Sequence, residues 1–336
     1  MANMNIKDFA ESLGISTATV SRAIHGSGRV SAATRERVLK SMDELGFTPN
    51  LHAQQLVRGR SGMVGLAFPE QGKVLADLFF AALAHAMQQE LQDNNLGLML
   101  NLMEREESQE NLLKQWACSQ AVDALVLVTG TPSASLLARL PQVPTVVIGH
   151  AACHQFPHVA CVVLDLEQGI RSVARLFVEH GHSSIGYIGN TDDSALAVFR
   201  TSLADAGITL KACNVAASGS HPSEGSMAAM RLLQQANRPT AIFARTDMIA
   251  MGIFHAASAL NLAIPGDLSV AGHDDIDLAS WTAPPLSTVQ INYKSIASHT
   301  VALIKRLLSD HHQLEPVHIS TSLVVRETIG SSSTAA

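Results

Sequence analysis

The chain has 336 residues, 47% of them apolar and 15% charged, which is too long for one ordinary core and leads us to expect two or three folded units. The net charge of −6 is unevenly placed: the first 60 residues carry eight Lys/Arg and five Asp/Glu, a net of +3, leaving −9 on the remainder, and a basic head on an acidic body points to an anionic partner at the head. Cys118, Cys153, Cys161 and Cys213 form no C-x-x-C pair and no dense spacing, the start has no apolar signal core, and no stretch approaches the roughly 20 apolar residues of a membrane span; a disulfide framework, export and membrane insertion are therefore not expected, and a reducing cytoplasm is.

In chain order, Ile6, Phe9, Ala10 and Leu13 fall on one face of a first helix at i, i+3, i+4 and i+7, and Gly14 breaks it. Ser16 is a natural N-cap for a second helix, Thr17 to Ile24. Its Val20, Ala23 and Ile24 can face the first helix while Thr17, Ala18 and Arg22 look outward. That is a helix-turn-helix pattern. A third helix capped by Ser31 is expected to bury Val38, Leu39, Met42 and Leu45 and to stop at Gly46 in the left-handed conformation. Asn50 can cap a short segment, Leu51 to Arg58, that ends at Gly59 and reads as a linker able to be helical.

From Met63 onward short apolar runs alternate with helical ones. Met63–Phe68, Leu98–Leu102, Ala124–Val128, Thr145–Ile148 and Cys161–Leu164 read as strands, with helices clearest at Leu78–Leu91 and Leu112–Ala121. A second series runs through Ile185–Ile188, Val215–Ala217, Ala241–Phe243 and Leu268–Ala271. Repeated βα units imply parallel sheets, so the body is expected to be two α/β lobes, with Ser331–Ala336 a frayed tail.

A bare helix-turn-helix has a structural helical hairpin as its rival. The wider pattern decides between them. IKDFAESLGISTATVSRAI from Ile6, RVSAATRERVLKSMDELGFTPN from Arg29 and HAQQLVRGRSGMVGL from His52 resemble the lactose-repressor family of bacterial transcription regulators. The likeness continues at DALVLV from Asp123, EHGHSSIGYIG from Glu179, RPTAIFARTDMIAMGIFHAA from Arg238, IPGDLSVAGHDD from Ile264 and PPLSTVQ from Pro284. The resemblance implies a helix-turn-helix headpiece over 1–48, a hinge helix and linker over 49–61, and a periplasmic-binding-protein-like effector and dimerisation domain over 62–330. The body would consist of two flavodoxin-like lobes, one of about 62–162 and 292–321, the other of about 163–290 and 322–330, joined by crossovers near Leu164, Ile291 and Ser322.

By the same resemblance, Thr17, Ala18 and Arg22 would meet base edges in the major groove of double-stranded DNA, and Ser16, Ser21, Ser31 and Thr34 would meet phosphates. Arginine can pair bidentately with guanine, while hydroxyls at helix starts hold phosphate without reading sequence; each serine can equally be a plain helix cap. Leu56, with Ala53 beside it, would be pushed into the minor groove of a pseudo-palindromic operator. Phe79 and Phe80 from one lobe, with Thr246 and Asp274 from the other, would line an effector cleft; aromatic faces and a carboxylate suit a sugar or another polar small molecule. The alternatives are core packing for the phenylalanines and a turn cap for Asp274. The chain departs from the family where its effector-gripping arginine usually lies, which is Ala195 here, with Val198 and Phe199 completing the altered pattern, and Gly149 replaces an acid. Losing a bidentate cation favours a neutral or cationic ligand, such as an unusual sugar derivative, over an anion.

His150, Cys153, His154 and His158 match no ordinary zinc spacing and read as surface residues, and His180 and His182 read as structural. No G-x-G-x-x-G follows a strand, and neither G-x-x-x-x-G-K-[ST] nor G-x-S-x-G occurs. Neither a cofactor nor an enzymatic reaction is expected. The functional expectation is a repressor-type, effector-controlled regulator, with a solute-binding protein lacking DNA function as the rival. It is expected to be a homodimer, since the stretch from Arg326 to the end offers no apolar heptad for a tetramer-forming coiled coil.

Overall fold

A computed structural model describes residues 4–25, 30–47, 60–68, 78–101, 106–129, 137–138, 143–149, 156–309 and 314–332. The chain divides into two compact units, Met1–Gly62 and Met63–Ala336.

The first unit contains α1 (Ile6–Ser12), α2 (Thr17–His25) and α3 (Ala32–Leu45). Each begins on a side chain that satisfies orphan backbone donors. Asn5 Oδ1 accepts from the amides of Lys7 and Asp8 at 2.8 and 3.1 Å. Ser16 Oγ accepts from Thr19 N at 3.1 Å, and Ser31 Oγ from Thr34 N at 3.2 Å. α3 ends on Gly46 at φ 59°, whose N–H returns to the Met42 carbonyl. The core is Phe9, Ala10, Val20, Ala23, Val38 and Phe47.

Three residues expected inside lie outside: Ile6, Leu39 and Leu45 are 37%, 42% and 47% exposed, and Met42 and Leu13 are only half-buried. The reason is Phe47. Once Gly46 reverses the chain, the Phe47 ring stacks on Phe9 with centroids 4.2 Å apart and planes 7° apart, taking core space that helical spacing alone assigned to the leucines. The Arg37 guanidinium donates to the Leu13 carbonyl at 2.9 Å, tying α3 to the turn. The linker segment expected at Leu51–Arg58, with Ala53 and Leu56, lies outside the described residues.

The second unit holds two six-stranded sheets. The first joins β1 (Met63–Ala67), β2 (Gly97–Asn101), β3 (Ala124–Thr129), β4 (Thr145–Gly149), β5 (Val159–Asp165) and β11 (Val317–Ser320) in the order β2-β1-β3-β4-β5-β11, all parallel. The second joins β6 (Ile185–Gly189), β7 (Val215–Ala217), β8 (Ala241–Ala244), β9 (Ser269–Asp274), β10 (Ser287–Gln290) and β12 (Ser322–Val324) in the order β7-β6-β8-β9-β10-β12, parallel except for the β10–β12 pair. Each order reverses direction between its first and third strands in sequence, the flavodoxin-like pattern in which ligands gather beyond the carboxyl ends at that switch point.

Helices cover both faces of each sheet. On the first, α4 (Leu78–Asp93) and α10 (Tyr293–Leu308) bury Leu83, Met87, Leu91, Ile296 and Ile304, while α5 (Glu106–Cys118) covers the opposite face with Leu113 and Trp116. On the second, α6 (Glu167–Glu179) and α7 (Ser194–Asp205) bury Val173, Phe177 and Phe199 on one face, and α8 (Pro222–Leu233) and α9 (Asp247–Ala259) bury Ala229, Leu232 and Ile253 on the other.

The chain passes between the sheets three times: after β5, between β10 and α10, and between β11 and β12. β5 pairs with β11 as far as Asp165↔Ser320, so the first crossing falls at Leu166 and not at a 162/163 divide. The helix expected at Leu112–Ala121 instead runs Glu106–Cys118, and β9 extends three residues past Ala271. β10, β11 and β12 (STVQ, VHIS and SLV) are three or four residues long and mix polar with apolar residues, so they present no apolar run to read as a strand. The expected frayed tail is partly pinned: Ser332 is buried and its N–H donates to the His180 carbonyl at 2.8 Å.

His182 anchors that C-terminal segment. Its Nε2 lies 2.9 Å from both the Gly330 carbonyl and Ser269 Oγ, and Nδ1 lies 2.9 Å from Thr240 Oγ1. A carbonyl can only accept, so Nε2 carries the proton and Nδ1 accepts from the threonine hydroxyl. Burial holds this imidazole below its ordinary value, against the opposing pull of the Gly330 carbonyl.

Two expectations follow. Phe9→Ala removes the stacked pair at a cost of about 3–5 kcal/mol, a large share of what a unit of this size holds. Amides of α1–α3 should then exchange rapidly while the thermal transition of the body is unchanged; retained slow exchange would contradict the assigned core. For His182, the unfolded chain takes up a proton near pH 6.5 that the folded chain resists. Its contribution is therefore complete above that pH and declines on acidification towards the lowered folded value, by at most about 1.4 kcal/mol per pH unit. Urea unfolding at pH 7.5 and 5.5 should show a larger loss in the wild type than in His182→Gln, and equal losses would refute the assignment.

Candidate nucleic-acid interface and effector cleft

In the first unit, α2 buries Val20 and Ala23 and leaves Thr17, Ala18 and Arg22 exposed. The exposed set is one cation with two small side chains, a combination suited to a guanine edge and a thymine methyl. Ser16 and Ser31 are both exposed and both cap helices, each with its hydroxyl 2.8 Å from a threonine hydroxyl, Thr19 and Thr34 respectively. The capping role and a surface hydroxyl therefore coexist at each serine. Ser21 and Thr34 are half-buried.

In the second unit, the four expected cleft residues divide by what they touch. Phe80 packs on buried Phe68, just past β1, with centroids 4.4 Å apart. Phe79 lies edge-on to Phe80 at 5.2 Å and 5.7 Å from Tyr293. The Tyr293 hydroxyl donates to the Asp274 carbonyl at 3.0 Å, so a continuous path leads from Phe79 on the first lobe to Asp274 at the end of β9 on the second. Thr246 is the N-cap of α9, its Oγ1 accepting from Ile249 N at 3.2 Å. Asp274 does more than cap a turn. It is nearly buried, its backbone has φ 114°, and its Oδ1 lies 2.9 Å from His273 Nδ1.

The structure adds a residue that the motifs did not single out. Arg245 follows β8 and its Nε donates to Asp193 Oδ2 at 2.5 Å; the two side chains are 22% and 21% exposed. Asp193 is itself the N-cap of α7, its other oxygen accepting from Ala195 N at 3.1 Å. Arg245 can lie here because Gly189 ends β6 without a side chain: a Cβ there would fall 2.3 Å from Arg245 Cβ. Ala195 itself is fully buried, and the cation beside the start of its helix is Arg245, from the end of β8, the strand paired with β6. The signal was present in the sequence as an arginine directly after an apolar strand, but its partner lies 52 positions away.

Electrostatics follow from burial. Burial works against the Arg245 cation, yet Asp193 and Asp274 outweigh it and hold the group above its ordinary value. Burial likewise pushes Asp193 up, and the guanidinium and the Ala195 amide bring it below the usual carboxylate range. His273 is held well below its usual value by burial and then by Arg245, so it is neutral. With Nδ1–H donated to Asp274, its Nε2 is a buried acceptor with no protein hydrogen bond. Asp247 is fully buried, accepts from Thr288 Oγ1 at 2.5 Å and Ile276 N at 3.0 Å, and is raised well above the usual range by burial and by Asp274.

Of the histidine and cysteine group, His150, Cys153 and His154 lie outside the described residues; His158 is half-buried beside Phe156. Among the described residues, no group of three His, Cys, Asp or Glu could hold a metal, and no helix is long and apolar enough to cross a membrane.

An exposed-face helix-turn-helix joined to a doubly wound two-lobed body with a polar cluster at its switch point defines a ligand-responsive, DNA-binding transcription regulator. Comparison with known proteins agrees. Residues 5–50 match the family of bacterial regulatory proteins of the lacI type, and residues 174–329 match a periplasmic binding protein-like domain. The HTH-type transcriptional regulator GalS of Salmonella typhimurium is 30% identical over 300 residues, covering 88% of this chain and 87% of that protein. Among solved structures, the lac repressor dimer bound to operator and the anti-inducer ONPF superposes with a TM-score of 0.82 at 25% identity, covering 98% and 99% of the two chains. The transcriptional regulator CelR–cellobiose complex gives 0.72 at 25% identity, covering 97% and 99%. The chain belongs to the lacI family of bacterial regulatory proteins. Its relatives are transcription regulators and not enzymes.

Proposed function

We infer that the protein is a cytoplasmic homodimeric repressor whose two α2 helices read the half-sites of a pseudo-palindromic operator and whose affinity is set by a polar, sugar-like effector held between the lobes. The observation that carries the reading is the division of α2, with Val20 and Ala23 committed to the core and Thr17, Ala18 and Arg22 left for bases. In that arrangement Ser16, Ser21, Ser31 and Thr34 hold phosphates, and Ala53 with Leu56 enter the minor groove between the half-sites. The headpiece takes residues 1–48, the linker 49–61 and the body 62–330. The structural relatives support it: one is a dimer on its operator and another holds cellobiose. A solute-binding protein has no use for the capped, outward-facing helix.

Phe79 and Phe80 supply apolar faces, and Asp274 a carboxylate, to such an effector. Thr246 contributes from the cap of α9. A ligand touching both lobes binds the closed arrangement more tightly, and that differential affinity is what a regulator converts into a change of DNA affinity.

The test is selection of duplexes from a random pool by the full chain, followed by gel shifts over a range of salt. The wild type should enrich a two-fold symmetric sequence and lose affinity as salt rises. Arg22→Ala should weaken binding to the selected duplex by about 1–3 kcal/mol while nearly sparing random DNA. An equal loss on both duplexes, or no enrichment, would overturn the reading.

A further inference from the structure

We propose that Asp193 sets the charge selectivity of the effector cleft: by holding Arg245 in an internal ion pair at the switch point of the second sheet, it reserves the site for uncharged or cationic polyhydroxyl ligands and excludes phosphorylated or carboxylate ones. The proposal rests on the reading of this cleft as the effector site and deepens it.

Three observations converge. The first is position. Asp193 follows β6 and Arg245 follows β8, the neighbouring strands between which the second sheet reverses its order, and His273 and Asp274 end β9 alongside. Ligands of doubly wound sheets gather at that place. The site is continuous with the opposite lobe through Asp274, Tyr293 and Phe79.

The second is the state of the cation. A guanidinium open to the cleft would be a strong receptor for phosphate or carboxylate, because its fork matches both. Here the cation is already paired with a carboxylate. Nε is bonded to Asp193, and Nη1 lies 3.5 Å from an imidazole nitrogen that already gives its proton to Asp274. Gly189 leaves Arg245 room to lie in this position.

The third is the balance of charge around it. Asp193 and Arg245 cancel, and Asp275 is paired with Arg326 at 2.6 Å. Burial and then Arg245 hold His273 well below its usual value, and Asp274 adds a further carboxyl group beside the pair. The Asp274 carboxyl oxygens call for ligand hydroxyl or ammonium donors; Nε2 of His273 is buried and has no protein hydrogen bond. An incoming anion would meet a carboxylate and an arginine already neutralised.

Asp193→Asn tests this with little disturbance of the helix start, since asparagine is an equally good N-cap for the Ala195 amide. The probes are inorganic phosphate, glucose 6-phosphate and glucose, followed on the full chain by thermal shift and calorimetry at fixed ionic strength. The wild type should be indifferent to millimolar phosphate and should not prefer glucose 6-phosphate to glucose. Asp193→Asn should gain stabilisation by phosphate and bind glucose 6-phosphate at least tenfold more tightly than the wild type does. Asp193→Ser should behave alike, and Asp193→Asn with Arg245→Gln should lose the gain. The proposal is overturned if the wild type already binds phosphate or prefers the phosphorylated sugar, if neither single variant gains anion binding, or if the gain survives without Arg245. Gel shifts on the same proteins separate the two readings: sequence-specific DNA binding with no gain of anion binding sinks only this proposal, whereas the gain without sequence-specific DNA binding sinks only the regulator.

Discussion

Where two of the three crossings of the body meet, Thr321 ties them together. Its hydroxyl donates to the Asp165 carbonyl at 2.9 Å and accepts from Gly169 N at 3.3 Å, joining the end of β5, the start of α6 and the passage from β11 to β12. Packing there is close, since a Cβ on Gly169 would fall 2.4 Å from Val289 Cγ1 on β10 and 2.7 Å from Thr321 Oγ1. Each sheet is completed by a strand that the chain supplies only after visiting the other lobe, so neither lobe is a continuous segment. The waist ties the two lobes to each other three times along the chain.

That constraint gives the polar cluster its leverage. Arg245, Asp193, His273 and Asp274 belong to the second lobe, but the Asp274 carbonyl is held by Tyr293, the first residue of the helix that follows the second crossing and packs on the first sheet. Tyr293 in turn meets Phe79. In the proposed function, a ligand engaging Asp274 and the Phe79 ring would act across a joint already spanned by Tyr293. The carboxyl of Asp247 is fully buried, accepts from Thr288 on β10 and from the Ile276 amide, and is pushed well above the usual carboxylate range by burial and then by Asp274.

Much of this was legible in the sequence because the signals were local. Ser16, Ser31 and Gly46 are punctuation that needs only a few neighbours to act, and the outward face of α2 follows from spacing alone. Apolar runs gave the strands β1 to β9 to within a few residues. What escaped depends on distant partners. Leu39 and Leu45 read as core until Phe47 is seen to fold back on Phe9. The short strands β10, β11 and β12 are recognisable only through their pairing with β9, β5 and β10. Ala195 stands where the resemblance implies an arginine, but nothing near it revealed that Arg245, 50 positions on, pairs with Asp193 at the start of the same helix. The positions of Phe79, Phe80, Thr246 and Asp274 came from resemblance; the hydrogen bonds and ring contacts that distinguish capping Thr246 from joint-spanning Asp274 needed the fold.

In the proposed function, occupancy of the cleft and binding to DNA are two ends of one equilibrium. The direct measurement is reciprocal titration on the full chain: the dissociation constant for a selected duplex with and without a saturating neutral sugar that binds the body, and that of the sugar with and without the duplex. The account predicts that the two ratios are equal and differ from one by roughly 5- to 150-fold, a coupling of about 1–3 kcal/mol. A sugar that saturates the cleft while leaving the affinity for DNA unchanged would contradict it.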